Sequence, residues 1–239
     1  MDPLDQAFEE RLQEIEVYLD LLEHLEQQVA IGPPRIGSSA ITTQQQKILY
    51  SSVYLQLYNL VEATITWCID AVCNAATNNA RWKPSDLAAL VRREWIRSTA
   101  RTHLELTAEN RLESAVELCD HLINALPLLK FTMERRSNID DLVIQQIAER
   151  LGLEMRLSQE ALRSVKQPVR DDKGPLALVK DLRNRLAHGS LSFSECGEGV
   201  TVPDLRELKA RTVIYLREVI AGFRAYIESY EYLDPARRP

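Results

Sequence analysis

The chain has 239 residues, 45% hydrophobic and 27% charged, a composition ordinary for a globular protein and too apolar for disorder. Eight Gly and ten Pro are too few for a collagen-like or turn-rich chain. A formal net charge of −6 excludes a non-specific polyanion binder, so any nucleic-acid contact has to come from a local basic patch.

Aromatic residues make up only 6%, and Leu, Ala, Ile and Val supply most of the apolar side chains, which favours helix. Met1-Asp2-Pro3 opens an acidic amphipathic stretch without a signal-peptide pattern. The most apolar run, Ile48 to Ile69, is broken by Ser51, Ser52, Gln56, Asn59 and Glu62, and reads as a buried helix rather than a membrane span. Cys68, Cys73, Cys119 and Cys196 lack the paired spacing of a zinc site and read as core thiols. A cytoplasmic protein with no membrane partner is expected.

In chain order, Phe8, Leu12, Ile15, Leu19 and Leu22 repeat at steps of four and three and line one face of a helix over residues 1–31. Gly32-Pro33-Pro34 ends it, and residues 32–40 form a linker. A long helix from Thr43 to Ala76, apolar on most sides, is expected at the centre of a bundle. Residues 77–137 resist placement. Ser85-Asp86 opens a short helix there, Ala108 to Leu126 makes another, and the segment reads as a helical insertion of unassigned role.

Asn138-Ile139-Asp140-Asp141 starts a helix that Gly152 closes. After a mixed segment, Gly174-Pro175 opens a helix ending at His188 and Gly189. Residues 189–202 are expected to form a loop or short hairpin. Pro203 then opens a final helix, with Leu205, Leu208, Thr212, Tyr215, Val219, Phe223 and Tyr226 on one stripe. That stripe, with Tyr230 and Tyr232, exceeds what one bundle face needs, unless it also covers residues 77–137. The whole reads as one compact all-α domain, with its core in 41–76 and 138–235.

The helix from Pro175 carries the chemistry. Leu178, Val179, Leu182 and Leu186 fall on one side, while Lys180, Arg183, Asn184, Ala187 and His188 fall on the other. Arg183 and His188 stand about 140° apart around the axis and flank a strip suited to one phosphate. A solvated polar face, with a His favoured by the helix C-terminus, has the same spacing.

Arg183-Asn184-Arg185-Leu186-Ala187-His188 resembles the Arg-Asn-x-x-x-His signature of the HEPN superfamily of helical nucleases. Gly189, the preceding LVKDL and the position before the last long helix extend the likeness. More closely, the chain resembles RiboL-PSP-type HEPN proteins of bacterial toxin–antitoxin and phage-defence operons. The resemblance covers roughly residues 41–76 and 138–232.

It implies a HEPN-like helical bundle and a metal-independent endoribonuclease with no cofactor. Arg183 and His188 would be its catalytic pair and Asn184 their polar companion. The residue types suit the reaction, since imidazole moves protons near neutral pH and a forked guanidinium holds a phosphate. Asn184, one turn before His188, is placed to orient the imidazole. Glu62 interrupts an apolar helix and either pairs with Arg183 or lies on an exposed strip. The motif's second position after the His, a Tyr in some HEPN toxins, is Ser190 here, which argues against neutralisation by modification at that site.

Seven Lys or Arg against three Asp between Arg163 and His188 form the local basic stretch, with Lys180 and Arg185 the expected RNA contacts. Arg92, Arg93, Arg97 and Arg101 surround Trp95, which either stacks a base or packs on its neighbours. His24, His103 and His121 lack ligand-like neighbours apart from Cys119, so no metal is expected. The expected partners are an RNA substrate, a second copy in a homodimer, and a cognate antitoxin or defence-operon protein. The alternative from another class is a non-catalytic helical interaction module that assembles with such a partner.

Overall fold

Leucine-rich faces repeating every three or four residues are buried most readily helix against helix. The computed structural model describes residues 3–29, 31–101, 105–128, 131–134 and 137–239, so His103 lies outside the described residues. Among them nine α-helices follow in order: α1 (Pro3–Val29), α2 (Thr43–Thr77), α3 (Ala89–Thr99), α4 (Ala108–Ile123), α5 (Asp141–Leu151), α6 (Gln159–Lys166), α7 (Pro175–Ala187), α8 (Phe193–Cys196) and α9 (Val202–Glu228). The protein is all-α, as its periodicities require. Among the described residues no helix is long and apolar enough to cross a membrane.

The chain divides into two compact units. The first holds Met1–Thr64, Asn138–Asp141 and Leu157–Glu218, and the second Ile65–Ser137, Leu142–Arg156 and Val219–Pro239. Boundaries fall inside α2, α5 and α9 and in the segments on either side of α5.

In the first unit the α1 stripe of Phe8, Leu12, Ile15, Leu19 and Leu22 is buried. Ion pairs tie α9 to α1: Arg206 reaches Asp20 at 2.7 Å and Glu23 at 2.6 Å, and Arg217 reaches Glu9 at 2.9 Å. Arg211, buried on α9, donates its Nε to the Ser164 carbonyl at 3.0 Å and bonds the Gln167 carbonyl, satisfying acceptors that the end of α6 leaves open. Just before α7, a Cβ on Gly174 would stand 2.1 Å from the Val165 carbonyl oxygen. Only glycine fits there, so the entry to α7 is clamped against α6.

The second unit is organised around buried polar links. Glu94 is 3% exposed, accepts from Arg150 at 2.6 Å and also pairs with Arg97. Tyr226 donates its hydroxyl to the Leu151 carbonyl at 2.6 Å, and Tyr232 is buried while its carbonyl accepts from Ala88 N–H at 2.9 Å.

Several expectations change. The loop or short hairpin expected after His188 is a loop that holds one helical turn, α8: Ser192 and Glu195 form a reciprocal capping box that drives the turn, and Gly197 presses on the Lys47 carbonyl. The two-stranded ribbon among the described residues lies within the expected linker, where β1 (Arg35–Ile36) pairs antiparallel with β2 (Ser39–Ala40). Within the mixed segment before Gly174, α6 forms behind Ser158, whose hydroxyl accepts from Ala161 N–H. Trp95 is 1% exposed and packs edge-on against His121, so it offers no face to a base. Tyr226 and Tyr232 are buried within the chain and are not spare interface, while Cys119 is exposed rather than in the core.

Candidate active site

α7 is positioned by its apolar side: Leu178, Val179, Leu182 and Leu186 are all buried, and the helix packs on α6 and α8. Gly174 is its N-cap, with Pro175 in the first turn where the missing N–H costs nothing. At the other end Gly189 takes φ of +70°, its N–H bonds Leu186 O at 3.2 Å, and Ser190 N–H bonds Arg185 O at 3.0 Å. These two bonds make a Schellman cap, which ends the helix sharply and leaves His188 as the C-cap residue. His188 is exposed, and among the described residues its imidazole makes no hydrogen bond.

Arg183 is half-buried and held from two sides. Its guanidinium lies 4.5 Å from the centroid of the Tyr58 ring on α2, and its Nη1 donates to Asn184 Oδ1 at 2.9 Å. The Tyr58 hydroxyl donates to Glu62 Oε1 at 3.2 Å and accepts from Ile139 N–H at 3.3 Å. Among the described residues no ion pair joins Glu62 to Arg183; the two are linked through Tyr58, between a ring face and a hydroxyl. Asn184 directs its amide oxygen to Arg183, and its backbone carbonyl accepts the His188 N–H at 2.9 Å.

Burial raises the Tyr58 hydroxyl above its ordinary pKa, and the neighbouring Glu62 charge raises it further, against opposing effects of the Ile139 hydrogen bond and the Arg183 cation. The phenol therefore stays protonated and keeps donating to Glu62. Arg183 is in no ion pair with a described residue, so the remainder of its fork and its full charge are uncommitted.

The basic stretch is largely neutralised. Lys180 pairs with the buried Asp140, Lys166 with Asp141, and Lys173 with Asp181 at 2.8 Å. Arg185 is exposed, with Asp181 at 3.9 Å. Arg170 lies 5.8 Å from the Tyr54 ring centroid. Of the two residues expected to contact RNA, Lys180 is thus engaged in holding the turn before α5, while Arg185 faces solvent.

α7 and its capped end thus present a half-buried guanidinium, with no carboxylate partner among the described residues, and an exposed imidazole. A family model described as MAE_28990-like HEPN matches residues 1–232. The chain belongs to this HEPN family. No curated protein and no solved structure matches it. The match runs through residues 77–137, so that segment lies within the HEPN domain's span. The RiboL-PSP type suggested by the motif is a finer assignment than this match, which fixes the superfamily.

Tyr58 and Asp140 are the residues of this candidate site that sequence reasoning missed. Tyr58 precedes Glu62 by four residues, one helical turn on the same face, which was a readable signal. Asp140 carried no such signal, because its partner lies 40 residues away on α7.

Proposed function

We propose that this HEPN protein is a metal-independent endoribonuclease acting as a toxin or phage-defence effector. In this reading Arg183 holds the scissile phosphate and offsets the charge that builds on it. His188 takes the proton from the RNA 2′-OH as the 2′-oxygen bonds phosphorus. The P–O5′ bond breaks, the 5′-oxygen receives a proton from a protonated His188 imidazole, and a 2′,3′-cyclic phosphate and a 5′-hydroxyl remain. Asn184 and Glu62, the latter through Tyr58, fix the Arg183 rotamer, and Arg185 contacts the flanking backbone.

The observation that carries the reading is that Arg183 is oriented by a ring and an amide but paired with no carboxylate among the described residues. A guanidinium so placed keeps donors and charge for an incoming anion. Purified protein should cleave RNA in the presence of EDTA and leave cyclic phosphate ends. Arg183→Ala and His188→Ala should each remove cleavage by about 10²-fold or more with the helical circular dichroism unchanged. Cleavage that EDTA abolishes, or that survives both substitutions, overturns the mechanism.

A second reading, a non-catalytic interaction module, draws support from the pairing of Lys166, Lys173 and Lys180 with aspartates, which leaves fewer cations for an RNA backbone. On that reading expression of the wild type and of His188→Ala affects growth equally.

A further inference from the structure

α4 carries an apolar stripe on its outer side. Leu112, Val116, Cys119 and Ile123 follow at steps of four, three and four and so share one face, while Ser114, the one buried residue of the helix, lies nearly opposite. Leu112 is 58%, Val116 51% and Ile123 79% exposed. Beside the stripe runs an acidic row of Glu109, Glu113, Glu117 and Asp120, none of them in an ion pair with a described residue. An open groove of about 560 Å³ is lined by this acidic row together with Leu112, Val116, His121 and Leu126. His121, packed edge-on against Trp95, has a buried Nδ1 without a hydrogen-bond partner among the described residues.

An amphipathic helix normally turns its apolar stripe to the core, and α4 turns it to solvent. We infer that this face of α4 is a docking site for a cationic amphipathic helix of another protein. Its apolar residues would lie on Leu112, Val116 and Ile123, and its Lys or Arg side chains over the acidic row. The stripe spans about 17 Å, which matches roughly three turns of a partner helix. Charge selects this occupant over the others. Nucleic acid and anionic lipid both meet four carboxylates, and a second copy of this chain adds four more to the same surface. The inference uses no part of the catalytic reading.

The full chain is titrated against a fluorescent synthetic helix of Leu, Ala and Lys with its leucines on one face. Two further probes have the same composition in scrambled order and Glu in place of Lys. Saturable binding of the Lys helix alone is expected, weakened about tenfold or more by Leu112→Ser combined with Val116→Ser. Glu113→Lys combined with Glu117→Lys should lose the Lys helix and gain the Glu helix, a change that a misfolded variant does not produce. Absence of saturable binding, equal binding of the scrambled probe, or binding that neither double variant alters overturns the proposal. So does a concentration-dependent dimer that Leu112→Ser with Val116→Ser dissolves, which assigns the face to self-association.

Discussion

Arg183 rests its guanidinium on the ring of Tyr58, 4.5 Å from the centroid, and the hydroxyl of that same ring is tied to Glu62 and to the Ile139 backbone. The ring and the hydroxyl therefore do separable things, and two substitutions distinguish them. Tyr58→Phe keeps the ring face but cuts the link to Glu62 and leaves the buried Ile139 N–H unpaired, so a stability loss of about 1 kcal/mol is expected with a loss of RNA cleavage smaller than that of Tyr58→Leu. Tyr58→Leu removes the ring as well and should lower cleavage several-fold, in line with about 1 kcal/mol for a partly buried cation–π contact. Equal cleavage by both variants in an activity assay would show that the ring does not position Arg183.

Gly189 gives the second prediction. Its φ of +70° is a left-handed conformation, and open space surrounds the position a Cβ would take, so backbone strain alone sets the effect of substitution. Gly189→Ala should destabilise by about 1 kcal/mol, while Gly189→Asn recovers part of that because Asn tolerates the left-handed region. Chemical denaturation of the three proteins reads this order. Cleavage should follow the same order, since the cap sets where His188 leaves the helix.

These features differ in how far the sequence announced them. The apolar faces of α1, α2, α7 and α9 were legible because each repeats over several turns and every turn adds to the same signal. Gly174, Pro175 and Gly189 marked the ends of α7 because they are local backbone chemistry. α8 was misread because a single turn has no period to detect, and its capping box, Ser192 with Glu195, was the signal overlooked. Of the candidate site, Arg183, Asn184 and His188 were visible as one stripe, yet the motif says nothing of what faces it. The Tyr58 ring and the Asp140 partner of Lys180 are tertiary relations. Trp95 shows the opposite hazard, a side chain ringed by arginines in sequence but buried beside the Glu94 ion pairs in the fold.

Alkaline pH supplies the third prediction. Burial pushes Tyr54 up to about 12, partly opposed by the Arg170 cation, and burial likewise raises Tyr215 and Tyr226. In the unfolded chain a tyrosine ionises near about 10. Below that pH both states are protonated and the stabilisation is complete. Above it the unfolded chain loses protons that the folded chain retains, so stability falls until the folded-state values are passed. For Tyr54 alone the full fall is about 3 kcal/mol. The denaturation midpoint should therefore be unaffected by these groups between pH about 7 and 9 and drop above about 10, with a smaller drop in Tyr54→Phe. Phenolate absorbance rising in a single ordinary step on the folded protein would contradict it.

The last prediction concerns assembly. Cleavage needs a base for the 2′-OH, an acid for the 5′-oxygen and a cation for the phosphate, and α7 with its C-cap supplies one imidazole, His188, and one half-buried guanidinium, Arg183. A two-fold axis beside α7 would double both groups across one groove, letting one His188 take a proton while the other gives one. The tyrosines at and beyond the end of α9 give such an interface little support, since Tyr226 and Tyr232 are buried in their own chain and Tyr230 is half-buried. The case rests on the count of groups. Dimers carrying one wild-type and one His188→Ala subunit, purified through two different tags, should then retain a few per cent of wild-type cleavage or less, because either missing proton transfer costs about 10²-fold or more. Half of wild-type cleavage in the mixed dimer would show that each chain works alone, as would full activity from a protein that sediments as a monomer. In either case the single His188 has to serve as base and acid in turn, passing the proton taken from the 2′-OH to the leaving 5′-oxygen.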